Sequence, residues 1–230
     1  MADHQELLGA AAAFDRDGVL AETAGALRTT RRGLLGLAAA GTAIGALARP
    51  AGALASDAAR ADVAILNYAL GLEYLQAAFY TEAERLGALH GPLATQARVV
   101  GGHERAHVAA FHKVLGSLAI KPPTFDFQGV TQDPNAFRRT AVAFEDLAVA
   151  AYKDQAPHVS SPAYLMAAIS IHTVEARHAA WIRRLAGVLP AATAFDQPLS
   201  PSRVDALVAS THFVVNPVQT AAHRSPKFTG

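Results

Sequence analysis

Four glutamates in this chain of 230 residues sit among apolar neighbours, and two of them carry a histidine three positions on. They are Glu73, Glu104 with His107, Glu145, and Glu175 with His178. At helical spacing, Glu73 is flanked by Leu66, Leu70, Ala77 and Tyr80, and Glu104 by Ala97, Val100, Val108 and Phe111. Glu145 is flanked by Ala141, Val142, Val149 and Tyr152, and Glu175 by Ala168, Ile171, Ala179 and Ile182. Residues three, four and seven apart share a helix face, so all four carboxylates are expected to point inward. A buried carboxylate is costly unless it is paired or coordinates a metal. Four of them in the order Glu, Glu-x-x-His, Glu, Glu-x-x-His describe a cation site.

The Glu-x-x-His spacing sets a carboxylate and an imidazole side by side on one helix. Oxygen donors combined with imidazole suit iron, manganese or zinc rather than calcium or copper(I). In a two-ion site Glu104 and Glu175 would bridge, Glu73 and Glu145 would each cap one ion, and His107 and His178 would each bind one. Four carboxylates would then balance two divalent cations. Only six glutamates follow position 55, and four of them occupy these places. A single Glu-x-x-His is common on solvated helix faces; two copies on apolar stripes are not. His172, one turn before Glu175, is expected either beside the ligands, as an extra ligand, or as a satisfied core histidine. Tyr80 and Tyr152 could hydrogen-bond the ligands or relay an electron, and otherwise pack with a bonded hydroxyl. His103 and His112 are expected at the surface or rim, and Asp146 facing away. No catalytic residue is assigned beyond the metal site. His103-Glu104-Arg105-Ala106-His107 also contains the His-Glu-x-x-His string of zinc hydrolases. Glu73 and the second half-site are surplus to such a centre.

These residues need long helices to position them, and the punctuation supplies four. The first runs from about Asp62 to Leu86 and stops at Gly87. The second opens at Gly91-Pro92 and stops at Gly116. The third opens at Asp133-Pro134 and ends near Pro157, and the fourth opens at Ser161-Pro162 and stops at Gly187. Cap and proline at the start with glycine past the end is the helix asymmetry. Short turns make two antiparallel hairpins. Between them Ser117 to Gln132 shows no helical pattern and is long enough to cross the bundle. The hairpins resemble each other: Tyr80 follows Glu73 by seven residues, as Tyr152 follows Glu145. His107 follows Glu73 by 34 residues and His178 follows Glu145 by 33, so the site is expected on a pseudo-twofold axis. Beyond Pro190 the pattern is irregular, with Ser202-Arg203-Val204-Asp205 able to open a short helix and Phe213-Val214-Val215 apolar enough to dock. The last dozen residues are expected to be loose.

Composition narrows the function. The formal net charge is +1, and no basic stripe interleaved with aromatics marks a nucleic-acid partner. The absence of cysteine removes disulfides, thiolate ligands and iron–sulfur clusters. Near the N-terminus, Thr30-Arg31-Arg32-Gly33-Leu34-Leu35 resembles the twin-arginine export motif. The uncharged run that follows, Gly33 to Ala48 before Arg49, is short and rich in Gly and Ala, a poor membrane span. Ala53-Leu54-Ala55 has the small-x-small pattern of a cleavage site, which would leave Ser56 as the first mature residue. About thirty residues with five acids precede the arginine pair, long for such a leader.

Leu72-Glu73-Tyr74-Leu75, His103-Glu104-Arg105-Ala106-His107, Phe144-Glu145-Asp146-Leu147 and Val174-Glu175-Ala176-Arg177-His178 resemble the ferritin-like superfamily. With the leader, they look like its exported, desiccation-related members. The resemblance implies an all-α, ferritin-like four-helix bundle of two antiparallel hairpins joined by a long crossover. Residues 1–55 would be a cleaved leader, 56–189 the bundle and 190–230 an irregular extension. It further implies two divalent ions, iron first and manganese or zinc next, and redox chemistry on ferrous iron or peroxide in stress defence. The alternative is a non-catalytic stress protein with structural metal or none. Expected partners are metal ions and a small oxidant, O2 or peroxide, with room for a homodimer and without nucleic acid or a stable membrane span. The rubredoxin-type centre and methionine-held haem of some members lack their ligands here, and a cage-closing helix is not recognisable.

Overall fold

The computed structural model describes residues 57–216, so the expected leader, its expected cleavage site and the last dozen residues lie outside the described part. Five helices carry it: α1 (Asp57–Leu86), α2 (Gly91–Leu115), α3 (Pro134–Gln155), α4 (Pro162–Leu185) and α5 (Pro201–Ser210). The fold is all-α, with one small exception noted below.

Helix ends follow local chemistry. Asp133 caps α3 by accepting the Ala136 N–H, and Ser161 caps α4 by accepting the Tyr164 N–H, each ahead of a proline that has no N–H to lose. Gly87 and Gly187 take positive φ, +67° and +77°, just beyond α1 and α4. Helix α1 begins five residues before Asp62. The extra turn, Asp57-Ala-Ala-Arg-Ala, is mostly good helix formers behind an acid that suits the helix start, but has no apolar stripe to announce it. Helices α3 and α4 stop one or two residues before the expected points, and a single 3-10 turn, Ala156–His158, follows α3.

Helix α1 packs along α2, and α3 along α4. The crossover between the hairpins runs beside α1. The Asn67 side chain, near the start of α1, donates to Leu118 O and accepts from Ile120 N. Fifteen residues further along α1, Glu82 accepts a hydrogen bond from Thr131 at 2.6 Å. The crossover thus spans about 22 Å of helix before α3 begins, and α3 runs back antiparallel to α1. Phe137, near the start of α3, stacks on Phe79, while Tyr152, near its end, reaches Glu73.

The C-terminal extension is more ordered than its sequence pattern indicates. Helix α5 starts at Pro201 after Ser200, not at Ser202, and buries Val204 completely. Phe213 is buried against Phe127 and Phe144. Strand β1 (Thr124–Phe125) of the crossover pairs antiparallel with β2 (Val214–Asn216), tying extension to crossover.

The core falls into two large apolar clusters separated along the bundle axis. One gathers Phe79, Tyr80, Leu93, Phe137, Phe144 and Ile182. The other gathers Leu66, Leu70, Tyr74, Phe111, Leu115 and Tyr152. Glu73 sits between them on α1.

Candidate metal centre

All four glutamates of the pattern are fully buried at mid-bundle. Each comes from a different helix: Glu73 from α1, Glu104 from α2, Glu145 from α3 and Glu175 from α4. His107 and His178 lie one turn on from Glu104 and Glu175. They turn their Nδ1 atoms toward the carboxylates and keep only 12% and 3% of their side-chain surface.

The six groups form two overlapping sets. Glu73, Glu104, Glu175 and His107 make one, and Glu145, Glu104, Glu175 and His178 the other; within each set the ligand atoms lie within 4.8 Å of one another. Glu104 and Glu175 belong to both. His107 Nδ1 is 3.1 Å from Glu73 Oε2, 3.1 Å from Glu175 Oε1 and 3.5 Å from Glu104 Oε2. His178 Nδ1 is 3.0 Å from Glu104 Oε1, 3.5 Å from Glu145 Oε2 and 3.7 Å from Glu175 Oε2.

The remaining carboxylate oxygens on α1 and α3 are held by phenols. Tyr80, on α1, donates to Glu145 Oε1 on α3 at 2.5 Å. Tyr152, on α3, donates to Glu73 Oε1 on α1 at 2.5 Å. Both tyrosines therefore bond members of the site, each crossing to the opposite hairpin. The buried Gln96 side chain approaches the Tyr80 hydroxyl from α2 at 3.5 Å. Gly101 makes room for this layer, because a Cβ there would lie 2.9 Å from Tyr80 Cβ.

The donor set fits divalent metal. Glu104 Oε1 and Oε2, Glu145 Oε2, Glu175 Oε1 and Oε2, and His178 Nδ1 are buried without a hydrogen-bond partner. These six atoms face one another inside the two sets. A buried polar atom left unmet costs about 1–3 kcal/mol, and more when charged. Oxygen and imidazole ligands about 2.1 Å from one ion stand up to about 4.2 Å apart, close to the spread within each set.

Residues 61–188, more than half of the chain, match the profile of a family described as the ferritin-like domain. The chain belongs to the ferritin-like domain family. No curated protein matches it closely enough to be counted a relative.

In this ferritin-like protein the electrostatics of the metal-free cluster mark where cations are wanted. Burial pushes Glu73 well above the carboxylate range, and the charges of Glu175 and Glu104 add to it. Burial likewise pushes Glu145 up to about 8. For Glu104 burial is outweighed by contacts from His107, His178 and Glu73, which bring it down to about 2. Burial alone would depress both histidines, but the surrounding glutamates raise His107 to about 12 and His178 to about 11. Divalent ions bound there would displace protons from these imidazoles.

The other polar residues sort clearly. His172 enters neither set, and its buried Nδ1 has no hydrogen-bond partner. Asp146 faces away and pairs with Arg183 at 2.6 Å. His112 is exposed and bonds the Tyr74 hydroxyl at 2.6 Å. His103 is also exposed, as its position off the helix axis predicts, but it has a second contact: its Nδ1 lies 2.8 Å from His178 Nε2. The signal was available, because His103 precedes His107 by four residues and so shares its stripe. Gln96 could have been found in the same way, at four-residue steps from Val100 and Glu104. The zinc-hydrolase string is not built as such: His103 stands outside both ligand sets while Glu104 stands inside both.

Proposed function

We propose that this ferritin-like protein holds two divalent ions, iron first and manganese next, and uses them on ferrous iron or peroxide in stress defence; zinc, which has no redox chemistry, would fit the same ligands only in a structural role. The sharing of Glu104 and Glu175 between two ligand sets carries this reading. Glu104 and Glu175 would bridge, Glu73 with His107 would complete one position, and Glu145 with His178 the other. When bound, such a pair supplies reversible electron transfer to a small oxidant. The chain's own part is to hold four carboxylates in a water-poor layer, to fix Glu145 and Glu73 through Tyr80 and Tyr152, and to keep the imidazole Nδ1 atoms turned inward.

We further propose that residues 1–55 are a twin-arginine leader removed before Ser56, delivering the bundle to the periplasm or beyond. That route carries folded proteins and suits a site loaded with metal before export. No described helix is long and apolar enough to cross a membrane.

A second reading, a structural metal with no turnover, draws support from the near-complete burial of the six groups. Elemental analysis of protein purified from its native compartment, followed by assays of ferrous-iron oxidation and peroxide consumption, decides between them. Two metals per chain with turnover supports the first reading, and metal without turnover the second. Glu104→Ala and Glu175→Ala should each lose both metals; full retention in both variants ends the dinuclear reading.

A further inference from the structure

We propose that the two metal positions are unequal, and that His103 makes them so: by orienting His178 it gives the Glu145–His178 position the tighter hold on its ion. The Glu73–His107 position is then the exchangeable one, where an incoming divalent ion such as ferrous iron enters and leaves. The inference rests on the two-ion reading above.

The pseudo-twofold relation exposes the asymmetry. It exchanges Glu73 with Glu145, Tyr152 with Tyr80, Glu104 with Glu175 and His107 with His178. Four residues before His107 stands His103; four residues before His178 stands Val174. One hairpin therefore offers an imidazole where the other offers an isopropyl group with nothing to hydrogen-bond. The His103 imidazole reaches from α2 to α4 and meets Nε2 of His178 at 2.8 Å. The two rings lie 15° from coplanar with centroids 5.1 Å apart, the geometry of imidazoles joined edge to edge by a hydrogen bond. With Nδ1 of His178 turned to the carboxylates as a lone-pair donor, its Nε2–H donates to His103. That contact selects the tautomer and locks the ring plane, as partners behind metal-bound histidines do.

His107 has no counterpart contact. Among the described residues its polar contacts all run from Nδ1 to carboxylates, Glu73 and Glu175 at 3.1 Å and Glu104 at 3.5 Å, and none meets Nε2. It also keeps 12% of its side-chain surface open, against 3% for His178. A ring that is free behind and open to solvent is the one past which an ion can exchange.

Cobalt(II) titration of the metal-free full-length protein tests this, read by visible absorption and calorimetry. Wild type should bind two equivalents in two affinity classes. His103→Val, which copies the Val174 side, should weaken the tight class about 10–100-fold and leave the weak class in place. His103→Gln, which still offers an acceptor, should restore part of the difference. Val174→His should tighten the weak class. Loss of both classes together in His103→Val with a lowered melting temperature would mean a structural role and overturn the proposal. Two equal classes in wild type, or two unchanged classes in His103→Val, overturn it while leaving the two-ion reading intact. No cobalt bound by wild type defeats both.

Discussion

The Tyr80 phenol on α1 donates to Glu145 Oε1 on α3 at 2.5 Å, and the fold repeats this bond with the helices exchanged, from Tyr152 to Glu73. Each hairpin thus holds the lone glutamate of the other. A terminal carboxylate fixed at one oxygen presents the other to the cluster in a single orientation. The cross-bracing also ties α1 to α3, the two helices that carry no histidine ligand.

Tyr80→Phe and Tyr152→Phe should each leave one buried carboxyl oxygen without its donor. The expected loss is about 1–3 kcal/mol of stability in the metal-free protein. Metal affinity at the braced half should fall about 10–100-fold. Thermal melting and metal titration of the two variants check both effects. Unchanged melting and unchanged affinity would reduce the tyrosines to core filling.

Two isosteric substitutions should part company. In the metal-free protein Glu145, raised to about 8 by burial, carries a proton at neutral pH, and glutamine is close to its isostere. Glu145→Gln should therefore melt near wild type. Glu104, brought down to about 2 by the two imidazoles, is ionised and lies 3.0 Å from His178 Nδ1. Glu104→Gln removes the anion and leaves buried imidazoliums short of charge, which costs about 3–5 kcal/mol when one partner of a buried pair is lost. Metal binding should fail at one position in the first variant and at both in the second. Equal melting temperatures for the two chelated variants would refute the charge assignment.

Removing metal should also reverse the dependence of stability on pH. Glu145 is raised from 4.5 to about 8, so its contribution is full below pH 4.5 and is lost as pH rises toward 8. His107 and His178 are raised from 6.5 to about 12 and 11, so theirs is full below pH 6.5 and is lost as pH rises through those values. Glu104, lowered from 4.5 to about 2, works the other way, but only as pH falls below 4.5. Between pH 5.5 and 8.5 the metal-free protein should therefore melt at progressively lower temperature as pH rises. Metal displaces these protons, so its affinity climbs over the same range. The gap in melting temperature between loaded and chelated protein should widen with pH; a constant gap argues against displacement.

Much of this site could be read from sequence because its signal is local. A glutamate with apolar neighbours at three, four and seven residues can face only inward once the helix forms, and Glu-x-x-His fixes two ligands on one turn. The helix starts at Asp133-Pro134 and Ser161-Pro162 were legible for the same reason. The His103–His178 contact was only half legible: the four-residue step to His107 puts His103 next to the ligand stripe, but the ring it meets depends on how α2 packs against α4. The pairing of β1 with β2 could not be foreseen, since strands of two and three residues carry no periodicity. The extra turn of α1 was hidden by a run of alanines, which favours helix without marking a face. That error placed Asp62 at a helix boundary, where an acid attracts no notice.

Asp62 tests the premise that buried acids here demand cations. It is 3% exposed, yet both of its oxygens are met: Oδ1 accepts the Ser160 N–H at 2.7 Å and Oδ2 the Ser161 N–H at 2.9 Å. Backbone donors at the head of α4 serve Asp62, whereas among the described residues Glu104 and Glu175 have only the two imidazoles that the ligand sets themselves contain. Asp62→Ala should leave two N–H groups unmet and cost about 2 kcal/mol or more. Asp62→Asn should fall between, because its amide nitrogen would face one of those N–H groups. Neither variant should change the metal-to-protein ratio, since the carboxylate lies outside both ligand sets. Melting together with elemental analysis separates the two kinds of buried acid. An Asp62→Ala protein that keeps its stability, or loses its metal, would break the distinction.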